Sequence, residues 1–476
     1  MGTEPANPMA GHAADHGDPC RRLLDRDYML AVFRRELPRL SDRAIAVTGC
    51  RSKLHRRRAA AGGDQLELVY RVAVAVDGGP PRDFLLLGTA PAAGVAAADQ
   101  APAHPWAAPF QRLSTWLPDL ALALRFFPCD PALPALAELT GAGPASWLAP
   151  HLPECRRTAI ERIACEVSQY KPWKRAVLRV TAQFADGSAR ACYVKAFADD
   201  RGAAMHDQLA ALWAAARSAS SLRLPEPLGY DARRRLWLLS EAPGERHLTA
   251  WIRCLRKGRP LPAGVDVQRV ERALAVAARA LAELQQAAVQ PTERRTFAGE
   301  VAGLQAGVDA QRAGPQRAGP QRELAARADA LLARLRALVP QHEQLLPAHG
   351  GFRHQQMVGD ETGLCIIDWD GLCRADPALD AATLLAHLRC EPGADAAAAT
   401  ATQQLAAHFR REFLAHCPHV GQRQLARWEA WAHTERLVRG LRRAARDDAL
   451  EAHDLAAAAA QLLLAAARGD PGDDRA

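Results

Sequence analysis

Two stretches in the first half of the chain alternate apolar and polar residues, and each predicts a β-hairpin. In the first, residues 66–76 form a strand, 77–82 a turn and 83–88 the return strand. In the second, residues 177–184 and 191–197 flank an Asp186-Gly187 turn, a dipeptide that favours tight hairpins. The hairpins are similar in sequence, VYRVAVAVDGG beside VLRVTAQFADG. Two explanations stay open: a degenerate duplicate, or the general likeness of apolar antiparallel hairpins.

The second half of the chain places apolar residues at helical spacing. We expect a helix over 270–286, and further helices near 378–389, 401–416, 422–443 and 449–468. Residues 423–446 are dense in arginine, which indicates either a positive stripe at a binding pocket or a half-solvated packing helix. Between these helices, residues 346–370 contain two short apolar runs joined by a turn, and the second run ends on Asp368-Trp369-Asp370. This pattern predicts a hairpin that presents carboxylates at a strand end.

Composition narrows the class of protein. A chain of 476 residues predicts two or three domains. The net charge of +8 comes almost entirely from arginine, and the basic runs lack the interleaved aromatic residues that stack on bases, so we expect no nucleic-acid partner. Eleven cysteines without paired spacing favour reduced thiols. No apolar run approaches 18 residues, so we expect a cytoplasmic protein without membrane insertion.

Residues 347–380 read PAHGGFRHQQMVGDETGLCIIDWDGLCRADPALD. This segment resembles the catalytic segment of the aminoglycoside phosphotransferase and choline kinase family. There the loop reads His-Gly-Asp, four residues, then Asn or Gln, and the next strand ends in Ile-Asp-Trp/Phe-Asp/Glu. His349, Gln356 and Asp368 fall on those positions, whereas the catalytic Asp of the family falls on Gly351.

The resemblance implies an α+β fold of the bilobal protein-kinase-like type, with a small antiparallel β lobe, a larger helical lobe and an N-terminal α/β appendage. We therefore divide the chain into a disordered tail (1–26), an N-terminal α+β appendage (27–150), a nucleotide-binding lobe (151–245) and a helical lobe (246–476) with the catalytic-loop hairpin at 346–370. Asp376 is expected to cap the following helix, and Asp380 to brace the loop.

The resemblance also implies MgATP as the cofactor, held in a cleft between the lobes. Gln356, Asp368 and Asp370 are the expected Mg²⁺ ligands, since this ion prefers oxygen donors and takes few carboxylates from the protein. The expected catalytic residues are His349 and the residue at position 351. Gly351 has no side chain to orient a hydroxyl or take its proton. The candidate substitutes are His354, Asp360 and Asp370, of which His354 is expected to titrate near neutrality.

Lys195 lies in the apolar run YVKAF, where kinase-like lobes carry the lysine that binds the α/β-phosphates. The chain has only five lysines, so one inside an apolar strand favours this role over an edge-strand lysine facing solvent. Asp207 is the nearest acid for pairing with Lys195, and Glu241 with Ala242 occupies the adenine-contacting hinge position. Trp173 replaces a family glycine in the phosphate-covering turn, which disfavours a tight phosphate cradle.

Two functions follow from this set. The first is an ATP-dependent phosphotransferase that phosphorylates a hydroxyl of a small molecule of unknown identity. The alternative is a catalytically impaired pseudokinase that binds nucleotide or a metabolite and acts as a regulator or scaffold. Both require that Lys195 and Asp368 face one cleft. The sequence indicates neither the acceptor nor the oligomeric state.

Overall fold

A computed structural model describes residues 19–58, 64–91, 104–140, 145–312, 319–390 and 395–443. Its helices and strands are mixed, which confirms the α+β class. The helices are α1 (Pro19–Leu24), α2 (Arg26–Glu36), α3 (Ala135–Thr140), α4 (Arg201–Ala215), α5 (His247–Arg256), α6 (Val267–Gln286), α7 (Phe297–Arg312), α8 (Gly319–Ala337), α9 (Ala378–Cys390), α10 (Ala396–His416) and α11 (Gln422–Arg443). The strands are β1 (Ile45–Arg58), β2 (Gln65–Val76), β3 (Arg82–Ala90), β4 (Ser114–Leu117), β5 (Leu122–Phe126), β6 (Ile160–Lys171), β7 (Arg175–Phe184), β8 (Ala189–Phe197), β9 (Leu222–Arg223), β10 (Pro227–Asp231), β11 (Leu236–Ser240), β12 (Arg294–Arg295), β13 (Leu346–Ala348), β14 (Met357–Asp360), β15 (Gly363–Ile366) and β16 (Cys373–Ala375).

The chain divides into two compact units. The first unit contains residues 1–202 and 229–238, and the second contains 203–228 and 239–476. The predicted appendage and most of the predicted nucleotide-binding lobe therefore belong to the same unit. The predicted helical lobe lies wholly in the second unit.

The first sheet has five antiparallel strands in the order β1-β2-β3-β5-β4. Helix α2 packs against it, and Phe33 meets Tyr70 edge-to-face with ring centroids 5.2 Å apart. The hydroxyl of Tyr70, buried beneath this helix, donates to the Leu23 carbonyl oxygen at 3.1 Å. An apolar core therefore joins the helix to one face of the sheet, and the only polar group of Tyr70 is satisfied there.

The second sheet has the order β6-β7-β8-β11-β10, which is the strand order of the first sheet. The hairpin registers also correspond: Val69 pairs with Leu87 in the first sheet as Val177 pairs with Lys195 in the second. The sequence left open whether the two hairpins share an origin. The two sheets share an order over five strands and a hairpin register. This similarity supports the explanation that one hairpin is a degenerate duplicate of the other.

The second unit is mainly helical, as predicted, and contains the catalytic-loop hairpin. Strand β14 pairs with β15 around a turn at 361–362, and β15 also pairs in parallel with β9. A second small sheet has the order β12-β16-β13 and flanks the loop that follows β13. Helices α6, α9, α10 and α11 occupy the predicted positions, with α10 beginning five residues earlier, at Ala396.

Several boundaries differ from the prediction. Residues Pro19–Leu24 form α1, inside the stretch predicted to be a disordered tail. Helix α3 covers Ala135–Thr140, and residues 116–127 contain β5 and the end of β4. The predicted helix at 449–468 lies wholly outside the described residues. Within the described ranges, no helix has the length and apolar content needed to cross a membrane.

Candidate active site

The loop after β13 is held by a single carboxylate. Asp380, in the first turn of α9, accepts the backbone N–H groups of His349 at 2.6 Å, Gly350 at 3.0 Å and Gly351 at 3.2 Å. Charge-assisted bonds of this kind are about twice as strong as neutral ones. Asp380 therefore braces the loop, as predicted. Asp376 accepts the Ala378 N–H at 2.9 Å and caps α9, also as predicted.

His349 is enclosed, with 1 % of its surface exposed. Its Nε2 donates to the Ile367 carbonyl oxygen at 3.0 Å, and its ring lies 4.7 Å from the Trp369 ring. Burial lowers the pKa of His349, so the imidazole is neutral at pH 7. His349 therefore fixes the loop to the strand that carries Asp368, which is a positioning role.

The two loop glycines meet different surroundings. Gly350 has φ +76°, and a Cβ there would lie 2.1 Å from the Gly371 carbonyl oxygen, so only glycine fits. The Gly350 carbonyl oxygen also accepts a bond of 2.6 Å from Arg295. A Cβ at Gly351 would meet nothing within 4 Å. Position 351 therefore has room for a Cβ atom.

His354 differs from the prediction. It is buried, with 3 % of its surface exposed, and burial together with Arg256 and Arg353 lowers its pKa to about 4. It therefore stays neutral at pH 7 and does not titrate near neutrality. Its Nδ1 is buried without a hydrogen-bond partner among the described residues. A neutral imidazole with so low a pKa is a weak base.

Two of the predicted metal ligands lie together at the end of the hairpin. Gln356 Nε2 lies 3.4 Å from Asp368 Oδ2, while Gln356 Oε1 accepts the Arg353 N–H at 2.9 Å. Asp368 has φ +70°, a left-handed conformation uncommon outside glycine and typical of functional positions. Asp370 follows two residues later and is half-buried.

This donor set fits a Mg²⁺ ion, which takes one or two carboxylates from a protein and completes its shell with phosphate and water. Asp368 and Asp370 supply the carboxylates. Gln356 supplies an oxygen only if its amide turns over, because the orientation described here directs the amide nitrogen to Asp368. Among the described residues, no group of three or more His, Cys, Asp or Glu side chains is arranged to hold a metal ion.

Lys195 occupies the middle strand of the second sheet and has 6 % of its surface exposed. Its Nζ lies 5.2 Å from the centroid of the Trp237 ring, within cation–π range. The interpretation as an edge-strand lysine facing solvent is therefore wrong. Lys195 lies in the first unit and Asp368 in the second, and their sharing of one cleft stays a prediction.

The turn between β6 and β7 is held by a residue of the predicted appendage. Asp130, with 2 % of its surface exposed, accepts the Trp173 N–H at 2.9 Å and the Tyr170 hydroxyl at 2.7 Å. Trp173 has φ +55°, which explains why the family has glycine there, and its ring lies 5.1 Å from that of His55. The backbone N–H of Trp173 is therefore bonded to a carboxylate.

The remaining predicted residues lie in the second unit. Asp207 is exposed on α4, and its pairing with Lys195 stays a prediction. Glu241 and Ala242 are half-buried after β11. The segment they begin runs beside the catalytic hairpin, because the Gly359 N–H donates to the Glu245 carbonyl oxygen at 2.7 Å. The predicted hinge and the catalytic hairpin are therefore neighbours within this unit.

Residues 190–415 match the family model of the phosphotransferase enzyme family. This stretch is similar to that family over just under half of the chain. It includes Lys195 and the whole loop from His349 to Asp380, so the resemblance found in the motifs is confirmed. No curated protein matches the chain.

Solved structures with a similar fold include a choline/ethanolamine kinase family protein from Mesorhizobium loti, 13 % identical, with a TM-score of 0.42 over 68 % of this chain and 99 % of that one. The choline kinase from Cryptosporidium parvum is 9 % identical, with a TM-score of 0.47 over 67 % and 93 % of the chains. The ADP-bound aminoglycoside phosphotransferase APH(2'')-Ib is 12 % identical, with a TM-score of 0.41 over 69 % and 99 %.

The sequence prediction missed several residues around the loop. Arg295 forms a two-bond ion pair with Glu300 and also holds Gly350. Asp130 lies in a part of the chain without a recognised motif. Arg353 and Arg436 act on His354, and of the two only Arg436 lies in an arginine-rich stretch. Of these missed residues, the sequence drew attention only to Arg436, through the high arginine content of residues 423–446.

Proposed function

We propose that the protein binds MgATP and transfers its γ-phosphoryl group slowly to a hydroxyl of a small molecule. The observation that carries this proposal is the contact between Gln356 and Asp368 at the end of a braced loop, beside an open position at Gly351. The family region supports a small-molecule phosphotransferase. Lys195, buried in a central strand, is suited to the α/β-phosphates.

The proposed reaction follows from these residues. The acceptor oxygen forms a bond to the γ-phosphorus, the bond from that phosphorus to the β,γ-bridging oxygen breaks, and ADP leaves. A bound Mg²⁺ would supply charge neutralisation at the phosphates, with Asp368 and Asp370 holding it. The chain's own contribution is to position reactants. With no side chain at Gly351, the hydroxyl proton passes to water or to the phosphoryl oxygens.

The loss of a general base costs roughly 10²–10⁴-fold in rate, which leaves slow transfer rather than none. A second candidate is the pseudokinase, which binds nucleotide without turnover. Gly351 favours it, and so does the bond from the Trp173 N–H to Asp130, which occupies a phosphate-facing donor. The two candidates share nucleotide binding and differ only in turnover.

Thermal unfolding with MgATP, and with ATP plus EDTA, tests the shared part. We expect MgATP to stabilise the wild-type chain and Asp368→Ala to lose that stabilisation. Asp309→Ala, which removes an exposed carboxylate on α7, serves as the control and should respond like the wild type. A wild-type chain that shows no shift with MgATP contradicts both candidates.

Gly351→Asp tests turnover. Because a side chain fits at this position, we expect ATP hydrolysis to rise by roughly 10²–10⁴-fold. Gly351→Asn has the same shape without the base and should gain nothing. If Gly351→Asp binds MgATP as the wild type does but hydrolyses no faster, the site is not built for transfer and the pseudokinase is the better account.

A further inference from the structure

One peptide group of the loop after β13 is held at both ends by side chains of opposite charge. The Gly350 carbonyl oxygen and the Gly351 N–H belong to this peptide, because it joins the two residues. The oxygen accepts a bond of 2.6 Å from Arg295 Nη1. The N–H donates to Asp380 Oδ1 at 3.2 Å. The peptide therefore lies between a cation and an anion, both within the second unit.

The two charges favour a single orientation of this peptide. A peptide group carries a dipole of about 3.5 D whose negative end is the carbonyl oxygen. The guanidinium of Arg295 lies at that end and the carboxylate of Asp380 at the other. Rotation of the peptide by half a turn would direct its oxygen to the carboxylate and its N–H to the guanidinium. Both contacts would then be repulsive.

Backbone sterics supply little of this restraint. The peptide joins two glycines, and glycine lacks the Cβ that limits backbone rotation in other residues. At Gly351 even an added Cβ would meet nothing within 4 Å. The direction in which a side chain at position 351 leaves the backbone depends on the orientation of the preceding peptide. The two charges therefore determine that direction.

Arg295 is suited to hold the peptide in place, because its guanidinium has other partners. Its Nε and Nη2 form bonds of 2.7 and 2.8 Å with the carboxylate of Glu300, in the first turn of α7. Its Cζ lies 6.0 Å from the centroid of the Trp431 ring on α11. Only 19 % of the surface of the Arg295 side chain is exposed. With one edge of the planar guanidinium fixed by Glu300, Nη1 reaches the loop in a defined direction.

We propose that Arg295 is a positioning residue for phosphoryl transfer. Together with Asp380 it forms a peptide clamp, which fixes the orientation of the peptide between Gly350 and Gly351 and hence the geometry of residue 351. In this role Arg295 acts through the backbone and not on the reactants. The part of the clamp in the reaction rests on the proposed function, whereas the clamp itself does not.

Nuclear magnetic resonance of the full chain without nucleotide tests the clamp, because the sequence isolates this peptide. The chain contains only three Gly-Gly pairs, at 62–63, 78–79 and 350–351. Protein grown on glycine that carries ¹³C at its carbonyl and ¹⁵N at its nitrogen therefore gives three signals when each amide is correlated with the preceding carbonyl. The variant Gly351→Ala removes the signal of the pair at 350–351 and so assigns it.

Arg295→Met should change both ends of this peptide. The ¹³C signal of the Gly350 carbonyl should move upfield, because a cationic donor no longer withdraws electron density from it. Hydrogen exchange of the Gly351 N–H should become roughly 10- to 100-fold faster, since the peptide is then free to rotate away from Asp380. Arg295→Lys keeps the charge but loses the fork, and should fall between the wild type and Arg295→Met.

The control is Arg374→Met. It removes a half-buried arginine from β16, in the same small sheet, whose Nη1 donates to Gln290 Oε1 at 2.7 Å and not to the loop. The signal of the pair at 350–351 should stay in place in this variant. Because Arg295→Met leaves the Glu300 carboxylate without its ion pair, Arg295→Met combined with Glu300→Gln provides the same test should the single variant fail to fold.

Steady-state kinetics tests the part of the clamp in the reaction. In the Gly351→Asp background, Arg295→Met should lower kcat for ATP hydrolysis by roughly 10- to 100-fold, because a small misplacement of a reacting group has an effect of that size. KM for ATP should be unchanged, since Arg295 acts on the loop and not on the nucleotide. Arg374→Met in the same background should leave both constants unchanged.

An unshifted Gly350 carbonyl signal in Arg295→Met, or an equal shift in Arg374→Met, overturns the clamp. A signal that moves while kcat stays the same overturns the positioning role, and the bond to Gly350 is then structural. If Gly351→Asp hydrolyses ATP no faster than the wild type, the proposed function fails and the positioning role fails with it. The spectra still decide the clamp in that case, so the two failures are distinguishable.

Discussion

The two five-stranded sheets have one strand order and one hairpin register, yet they bury different residues at the equivalent position. In the second sheet this residue is Lys195, beside the Trp237 ring. In the first sheet it is Leu87, which has 1 % of its surface exposed. Burying a charged side chain costs free energy that a leucine does not. The first sheet therefore packs a leucine where the second buries a cation.

The segment that follows the first sheet contributes Asp130, which holds the β6–β7 turn by two bonds. A turn that is free to close over phosphate needs unbonded N–H groups and small residues. Here the turn has the large residue Trp173, and the backbone N–H of Trp173 is bonded to Asp130. The region that contains the first sheet therefore has a leucine in place of the lysine, and its Asp130 supports the turn between β6 and β7.

The largest expected effect comes from giving the first sheet the residue of the second. Leu87→Lys buries an ammonium in an apolar core and should lower the free energy of unfolding by about 3–5 kcal/mol. Urea unfolding followed by tryptophan fluorescence measures the loss. Leu85→Lys is the control, because Leu85 lies on the same strand face but is only half-buried. Equal stability of Leu87→Lys and wild type would show that this position tolerates a cation.

The reverse change makes the second sheet resemble the first. Lys195→Leu should weaken MgATP binding by roughly 10- to 100-fold, because it removes a charged partner of the phosphates. The unliganded chain should be no less stable, since a leucine at this position needs no desolvation of charge. Fluorescence titration with a nucleotide analogue measures the affinity. Lys53→Leu removes an exposed charge from β1 and should bind as the wild type does. Unchanged affinity in Lys195→Leu would remove the functional distinction between the sheets.

The hairpins and helices of the fold could be predicted because their apolar periodicity is strong. Strands β1 and β6 could not be predicted, because each is an outer strand of its sheet and carries mainly exposed, often charged residues. Period-2 alternation is weak in such edge strands. The common strand order was likewise invisible, since it depends on which strands pair after β3 and β8.

The site shows the same division. Lys195, Gln356 and Asp368 could be predicted, because their spacing along the chain carries the motif. The low pKa of His354 could not be predicted, because it depends partly on arginines from α5 and α11. Asp130 was equally hidden, because its partners lie about 40 residues away along the chain and only folding brings them together.

Asp130→Asn tests whether the first sheet's region supports the turn. It keeps the side-chain shape but removes the charge from two hydrogen bonds, so the free energy of unfolding should fall by about 1.5 kcal/mol. Combining it with Tyr170→Phe should give less than the sum of the single effects, because both changes act on the same bond. Asp83→Asn, an exposed carboxylate on β3, should change stability little. Additive effects would show that Asp130 and Tyr170 are not coupled.

The smallest effect concerns a polar group that the first unit buries in neutral form. His104 Nδ1 accepts the Trp106 N–H at 3.1 Å, so its Nε2 carries the proton and donates to Thr140 Oγ1 at 3.1 Å. Burial lowers the pKa of His104 below 6.5. Below pH 6.5 the unfolded chain takes up a proton that the folded chain does not, so stability falls as the pH falls. Between pH 7.5 and 5.5 this contribution is about 1 kcal/mol.

His104→Gln should therefore lose about that much less stability than the wild type over this pH range, as measured by urea unfolding at both values. The difference between the two chains is the quantity that matters, because other buried histidines respond to acid in both. His342→Gln, an exposed histidine in the second unit, should leave the pH dependence unchanged. If His104→Gln loses as much stability as the wild type, His104 takes up its proton in the folded chain as readily as in the unfolded chain, and its bond from Trp106 is lost in acid. The first unit would then bury a cation of its own, and the contrast with Lys195 would narrow.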